Sequence, residues 1–448
     1  MILARRATLR PSPEQARAFG RACGTARKAW NWGLARKREA WNARKAALDA
    51  GVAPEDAPRV PTAVDLHREL NLLKKKPKED GGFPWMYEVS KCAPQEALRD
   101  LDGAFGHFFR RVKTGEKPGY PRFKARGRNP GHARFTGSIR VKDSRIHLPR
   151  IGSVRFMPGD QTYIPDGFYS TASLVESCGR WYVSVRLDIP EVLQDLTRPT
   201  VGLDAGVREL AHLSDGIIIP NPKALLREAG RLRRSRLSIA RKQRATDKRL
   251  GKRKKGERRK ESVHLRRERR VAARLQHRVA NLRTDALHKA TTMLARVYGT
   301  IVVEELAGKN MTRRARGRGR AAKAGLNRSI LDSGMLRLRP LLAYKMPLHG
   351  GQLLTVPAPY TSQRCSRCGA GHDPGSSRIY TCATCGFVID RDENASLNIL
   401  AAASWSVAPL GTGPLARRGA AVRPKVKAGR QVALIRASQE GKQEHDHV

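Results

Sequence analysis

The chain is short of acid: 40 Asp and Glu face 88 Lys and Arg among 448 residues, leaving a formal net charge of +48 and a pI near 11.1. Such an imbalance repels itself in the folded state and calls for a polyanionic partner. The sequence also lacks any run of about 18 apolar residues and any apolar segment after Met1, so neither a membrane-spanning helix nor an export signal is expected. Nucleic acid, not an anionic membrane, is the expected counter-charge, and a cytoplasmic location follows. Cysteines are few and odd in number, seven. Cys23, Cys92 and Cys178 are scattered and the other four form two CxxC pairs, which excludes a disulfide scaffold and fits a reduced compartment. There is no fixed-period repeat, which argues against a solenoid.

What is present begins with length. A chain of 448 residues is about three typical domains long and should hold two or more hydrophobic cores. Residues 1–10 read as a strand, and Pro11, Ser12, Pro13 and Glu14 as a turn into a capped helix. Trp30, Trp32 and Trp41 are spaced along the helical stretch 14–50 and are read chiefly as packing anchors. From Gln95 to Lys113, Leu98, Leu101, Phe105, Phe108, Phe109 and Val112 recur at helical spacing. Arg110, Arg111 and Lys113 end that helix, and Lys117, Arg122, Lys124, Arg126 and Arg128 extend the charge into a surface suited to backbone phosphates.

Between about Ala133 and Leu187 the period changes to two, with turn signals at Lys142-Asp143-Ser144 and Cys178-Gly179-Arg180, which predicts a small antiparallel barrel or meander that residues 1–10 can join. Thr200–Leu213 and Ile217–Ile219 predict a hairpin whose first strand presents Asp204. Residues 223–283 hold 25 Lys and Arg against 5 acids, a density expected to unfold an unsupported helix. A stripe running from Val271 through Leu275, Val279, Leu282, Ala286, Ala290 and Met293 to Val297 nonetheless predicts a long helix lying on a core. Strands are expected from Thr300 and over Gln352–Val356, a helix near Leu336–Tyr344, flexibility in the Arg-Gly run 313–320, and disorder in the tail 409–448.

Cys365-Ser366-Arg367-Cys368 and Cys382-Ala383-Thr384-Cys385 are separated by 13 residues, a spacing that lets two thiolate knuckles meet around one structural zinc ion. Three acids draw notice for their settings. Asp204 follows an apolar strand, Glu304 follows Val302-Val303, and Asp390-Arg391-Asp392 opens a predicted helix. Carboxylates are the hard ligands that magnesium prefers, and two such cations can support phosphodiester cleavage. On residue types alone a structural role stays equally open.

Gly202-Leu203-Asp204-Ala205-Gly206, Val303-Glu304-Glu305-Leu306, the cysteine pairs and Asp390-Arg391-Asp392-Glu393-Asn394-Ala395 occur in this order. Thr361-Ser362-Gln363, Asn398-Ile399-Leu400 and Gly119-Tyr120-Pro121-Arg122-Phe123-Lys124 accompany them. The set resembles the transposon-encoded TnpB family, similar to compact type V CRISPR effectors, over roughly residues 1–400. The resemblance implies a multi-domain α+β protein: a RuvC-like nuclease of RNase H fold with an inserted four-Cys zinc ribbon, and an N-terminal β-barrel, or wedge, interrupted by a helical recognition domain. It implies domains at 1–10 and 118–196 (barrel), 11–117 (helical recognition), 197–357 and 390–408 (nuclease) and 358–389 (ribbon), with 409–448 a tail.

The implied activity is RNA-guided, magnesium-dependent DNA cleavage with one protein per guide RNA, acting on a double-stranded DNA target through an RNA–DNA heteroduplex. Asp204, Glu304 and Asp392 would hold the catalytic magnesium ions, with Asp390 the fallback for Asp392. Cys365, Cys368, Cys382 and Cys385 would hold zinc, and Arg110, Arg111, Lys113, Arg122 and Lys124 would contact nucleic acid. Ala205, Glu305 and Ser396 depart from the commonest family residues without removing a ligand. The competing readings are an RNA-guided DNA-binding regulator that does not cut, and a transposase acting directly on element ends, for which no separate Tyr nucleophile is found.

Overall fold

A computed structural model describes residues 2–127, 129–158, 164–251, 261–315, 319–357, 361–371, 375 and 377–406. Arg128, the centre of the Arg-Gly run and the tail 409–448 lie outside the described residues. Six antiparallel strands close a barrel in the order β1-β4-β3-β2-β5-β6, from β1 (Ile2–Arg10), β2 (His132–Lys142), β3 (Arg145–Leu148), β4 (Gly152–Phe156), β5 (Gly167–Ser177) and β6 (Arg180–Asp188). The two turn signals are two-residue hairpin loops. Asp143 and Ser144 (φ 51° and 57°), like Cys178 and Gly179 (φ 52° and 79°), sit in the left-handed region that such loops require. β1 closes the barrel, pairing with β6 from Ile2↔Asp188 to Leu9↔Trp181 and with β4 at Leu9↔Phe156.

The helices α1 (Pro13–Asp49), α2 (Ala63–Lys75) and α3 (Cys92–Lys113) pack on this barrel and share its core, in which Phe19, Leu34, Leu66, Leu98 and Leu101 meet Phe135, Ile139 and Leu174. Ser12 caps α1 as expected, in a reciprocal box with Gln15 that is worth about 1 kcal/mol. Trp30 is buried, bearing out the packing reading, whereas Trp41 is exposed.

A second core lies against a five-stranded sheet of order β11-β10-β7-β8-β9. Its strands are β7 (Thr200–Ala205), β8 (Glu209–Leu213), β9 (Ile218–Pro220), β10 (Thr300–Glu304) and β11 (Gln352–Val356). β7 is parallel to β10, β10 is parallel to β11, and β8 and β9 turn back antiparallel. Between β9 and β10 run α4 (Ala224–Arg227), α5 (Ala229–Leu250) and α6 (Val263–Val297); α7 (Gly308–Met311), α8 (Arg320–Ser333) and α9 (Leu338–Leu348) join β10 to β11.

Within 223–283, α5 is a helix that is not unsupported. Its partner α6 supplies Glu268, which pairs with Lys242, as well as apolar contact, while Glu228, beside the start of α5, takes Arg231 of α5 and Arg278 of α6. The α6 stripe also differs from its sequence form. Val271 is exposed and the buried line runs through Val279, Leu287, Thr291 and Leu294. A small hairpin of β12 (Ile379–Thr381) and β13 (Val388–Asp390) precedes α10 (Arg391–Ser406). Among the described residues no helix is long and apolar enough to cross a membrane.

Candidate active site and metal centre

Asp204 and Glu304 reach one place from separate strands. The parallel pairing Leu203↔Val303 puts the next residue of each, Asp204 and Glu304, side by side at the carboxyl ends of β7 and β10, where α/β sheets place their ligands. Asp392 arrives from the first turn of α10. That helix approaches because position 202 is glycine: a Cβ there would lie 2.2 Å from the Ser396 carbonyl oxygen and 2.8 Å from the Leu400 nitrogen. No other residue fits.

Asp390 is occupied elsewhere. Its Oδ1 accepts the backbone N–H of Asp392 at 2.8 Å and of Glu393 at 3.3 Å, which makes it the cap of α10. The Asp392 carboxylate instead faces His212, whose Nε2 is 3.7 Å from Oδ2. His212 pairs with Asp204 across β7 and β8, is buried, and has no hydrogen-bond partner on Nε2 among the described residues.

The electrostatics reflect this crowding. Burial, then the charges of Asp392 and Glu304, push the Asp204 carboxyl from 3.8 up to about 7, against Arg391 and the Ala205 backbone N–H, which favour ionisation. Burial also raises Glu304, opposed by the Thr361 hydroxyl donating to Oε1 at 2.8 Å. The three carboxylates do not all lie within 4.8 Å of one another. They bring together hard oxygen donors whose repulsion a divalent cation would relieve, and in that chemistry they fit magnesium.

The four cysteines are closer. Their sulfurs lie within 4.8 Å of one another, with Cys365–Cys385 at 3.7 Å and Cys368–Cys382 at 3.6 Å. Four sulfurs each 2.3 Å from a tetrahedral zinc ion would stand about 3.8 Å apart, so the cluster fits that ion. Each knuckle closes on a left-handed glycine, Gly369 (φ 79°) or Gly386 (φ 66°), whose N–H donates to the first cysteine's carbonyl oxygen at 2.9 Å. The backbone N–H groups of Cys385 and Thr384 hold the Cys382 thiol down to about 6 against burial, favouring the thiolate that a metal takes.

The ribbon is buckled to the acids by two asparagines. Asn394 donates to the Arg364 carbonyl oxygen at 2.7 Å and accepts Ser366 N–H at 2.9 Å. Asn398 donates to the carbonyl oxygens of Thr361 and Arg364. Thr361 also touches Glu304, so the segment entering the ribbon joins α10 to β10. Sequence reasoning had both asparagines inside a motif but gave them no role, and it missed His212, which sits in an apolar strand.

Of the basic candidates, Arg110, Arg111 and Lys113 end α3 and are exposed, as is Arg122. Lys124 is not: its Nζ lies 3.3 Å from the centre of the Trp30 ring and burial lowers its pKa.

The family described as “Probable transposase” matches residues 184–315, a “Cas12f1-like, TNB domain” matches 337–399, and a “Helix-turn-helix domain” matches 1–46. Across the last span the structure has one strand and one long helix. An Escherichia coli K12 protein named “Putative RNA-guided DNA endonuclease InsQ” is 34% identical over 332 residues, covering 71% of this chain and 76% of its own. A Streptomyces pristinaespiralis protein with the same description, without the name InsQ, is 29% identical, covering 88% of this chain and 87% of its own. A cryo-EM structure of CasPhi-2 (Cas12j) bound to crRNA aligns over 89% of this chain and 97% of that one, at 10% identity and a TM-score of 0.39.

Proposed function

Because the chain belongs to the TnpB family, we propose that it is an RNA-guided DNA endonuclease whose RuvC-like domain cuts with Asp204, Glu304 and Asp392. The observation that carries the catalytic part is the convergence of these acids from β7, β10 and α10, where burial and then the charges of Asp392 and Glu304 raise the Asp204 carboxyl to about 7. Clustering like charges in a partly buried place is costly, and such clustering is characteristic of working sites. The sheet order, with its second strand antiparallel and its last two parallel, supports the RNase H reading.

Bound magnesium, as two ions, would activate water and stabilise the leaving oxygen in phosphodiester hydrolysis. Asp204 and Glu304 would hold that site from rigid strand ends, and Asp392 would complete it from α10. Thr361 fixes one Glu304 oxygen by donating its hydroxyl proton to it. Asn394 and Asn398 would transmit the ribbon's position to Asp392, giving zinc a structural part in cleavage.

Residues 1–10 and 118–196 would form the wedge, 11–117 the recognition domain, 197–357 with 390–408 the nuclease and 358–389 the ribbon. The net charge of +48 supports a guide RNA and an RNA–DNA heteroduplex as partners, held through backbone and shape while pairing reads sequence. Arg110, Arg111, Lys113 and Arg122 would meet phosphates; Lys124 would act chiefly through Trp30. Sequencing the RNA that copurifies with the full-length chain tests this: a defined RNA with a variable segment is expected. Site-specific DNA cutting by an RNA-free preparation would refute it. Cleavage by wild type but not by Asp204→Ala separates the nuclease from a regulator that only binds.

A further inference from the structure

The carboxyl end of α3 and the segment that follows it carry a cluster of rings, of which Phe105 packs against the barrel core while Phe109 and Tyr120 are exposed. Phe105 and Phe108 each stand edge-on to Tyr120 at 5.5 Å, and Phe109 lies 5.2 Å from Phe108 and 6.3 Å from Phe105. Phe109 is 48% exposed, Tyr120 46% and the neighbouring Phe123 50%. Single exposed apolar residues are ordinary, but a contiguous aromatic face marks a binding surface.

The setting names the chemistry of the occupant. From Phe105 to Arg126 there are seven Lys and Arg and one acid, Glu116. The exposed rings therefore lie in a strongly cationic segment, with Arg110, Arg111 and Lys113 following Phe109 and Arg122 following Tyr120 in sequence. The segment is held in place: Trp30 Nε1 donates to the Arg122 carbonyl oxygen at 3.0 Å, and Asn31 exchanges two hydrogen bonds with the Lys124 backbone at 2.8 and 2.9 Å. The rings meet mostly edge-on, at 70–88° for three of the four pairs, and exposed rings in a cationic segment are complementary to a strand whose bases are unstacked and whose phosphates run alongside.

We infer that Phe109 and Tyr120, near Arg110 and Arg122 in sequence, form a stacking surface for an unpaired nucleic-acid strand. The inference rests on the nucleic-acid reading above but not on cleavage.

The test uses the full-length chain with EDTA present and three probes of equal length: oligo(dT) carrying one 2-aminopurine, oligo(rU), and duplex DNA. The double variant Phe109→Ala/Tyr120→Ala should weaken oligo(dT) binding by about fivefold to a hundredfold. It should abolish the fluorescence change of 2-aminopurine while leaving the salt dependence of binding and the thermal midpoint in place. Phe109→Trp should restore binding. Arg122→Ala should instead lower the salt slope by roughly 0.7, the value of one phosphate contact on a single strand. Equal losses on duplex and single strand, or unchanged binding of both single-stranded probes, would each overturn the inference; the two single-stranded probes show whether DNA or RNA is preferred. Because no cutting is measured, its failure would leave the endonuclease reading untouched, and loss of cutting would leave this one untouched.

Discussion

Replacing Asp204 by Asn removes a carboxyl that the folded chain keeps protonated to about pH 7. Its ordinary value is 3.8, so the native state binds this proton more tightly than the unfolded state does. The stability this group contributes is complete below pH 3.8, declines as pH rises, and is lost above the folded value of about 7. Each pH unit in that window is worth about 1.4 kcal/mol. Between pH 5 and pH 7 the wild type should therefore lose about 3 kcal/mol relative to Asp204→Asn, a figure set by the shift alone and reduced by any relaxation around the carboxylate. For a folding unit of 150–250 residues this is roughly 6–12 °C in Tm. The assay is thermal unfolding of both proteins in EDTA across that range, repeated with magnesium, which should recover the wild type selectively by binding its ionised native state. Parallel pH curves for the two proteins would refute the reasoning, since they would mean that neither burial nor the charges of Asp392 and Glu304 raise the Asp204 carboxyl.

Three further outcomes follow from the same geometry. Cys382→Ser removes one of the four sulfurs and should release zinc, measured by metal analysis, and lower cleavage as well as Tm; full cleavage by that variant would show ribbon and active site to be independent. Gly202→Ala forces a Cβ to within 2.2 Å of the Ser396 carbonyl oxygen; it should push α10 off β7 and abolish cleavage while stoichiometric zinc is retained. His212→Ala should leave zinc content unchanged yet weaken magnesium-supported cleavage by about 10- to 100-fold, the usual effect of removing a group that orients a ligand; titrating activity against magnesium checks it.

Much of the fold is written in local pattern. Alternation along Ile139–Val141 and Trp181–Leu187, broken by Asp143-Ser144 and Cys178-Gly179, specifies hairpins because a strand with one buried face has a fixed period and a two-residue loop needs left-handed residues. The closure of β1 on β6 is less local, since pairing across some 180 positions leaves no mark on either strand. Charge density alone could not reveal helix α5, because it takes no account of the partner whose Glu268 offsets it. The proximity of Asp204, Glu304 and Asp392 agrees with the motif order, while the preference for Asp392 over Asp390 comes from the family motif; in the structure Asp390 accepts two backbone N–H groups. His212 was hidden because it lies within Leu210–Leu213, where an apolar strand conceals a single buried imidazole. Asn394 and Asn398 were hidden for the opposite reason: polar residues on a helix ordinarily face solvent, and only the fold shows that they bind the entry to the ribbon.

The central claim is that Asp204, Glu304 and Asp392 cut DNA at a place chosen by bound RNA. Its most direct test is to exchange the variable segment of the copurified RNA for a new sequence and to map, in magnesium, the cleavage of a plasmid carrying the matching target. The cut should move to the new target with wild type and vanish with Asp204→Ala, while that variant still binds the target. A cut that stays at its original position, or that persists in Asp204→Ala, would contradict the account.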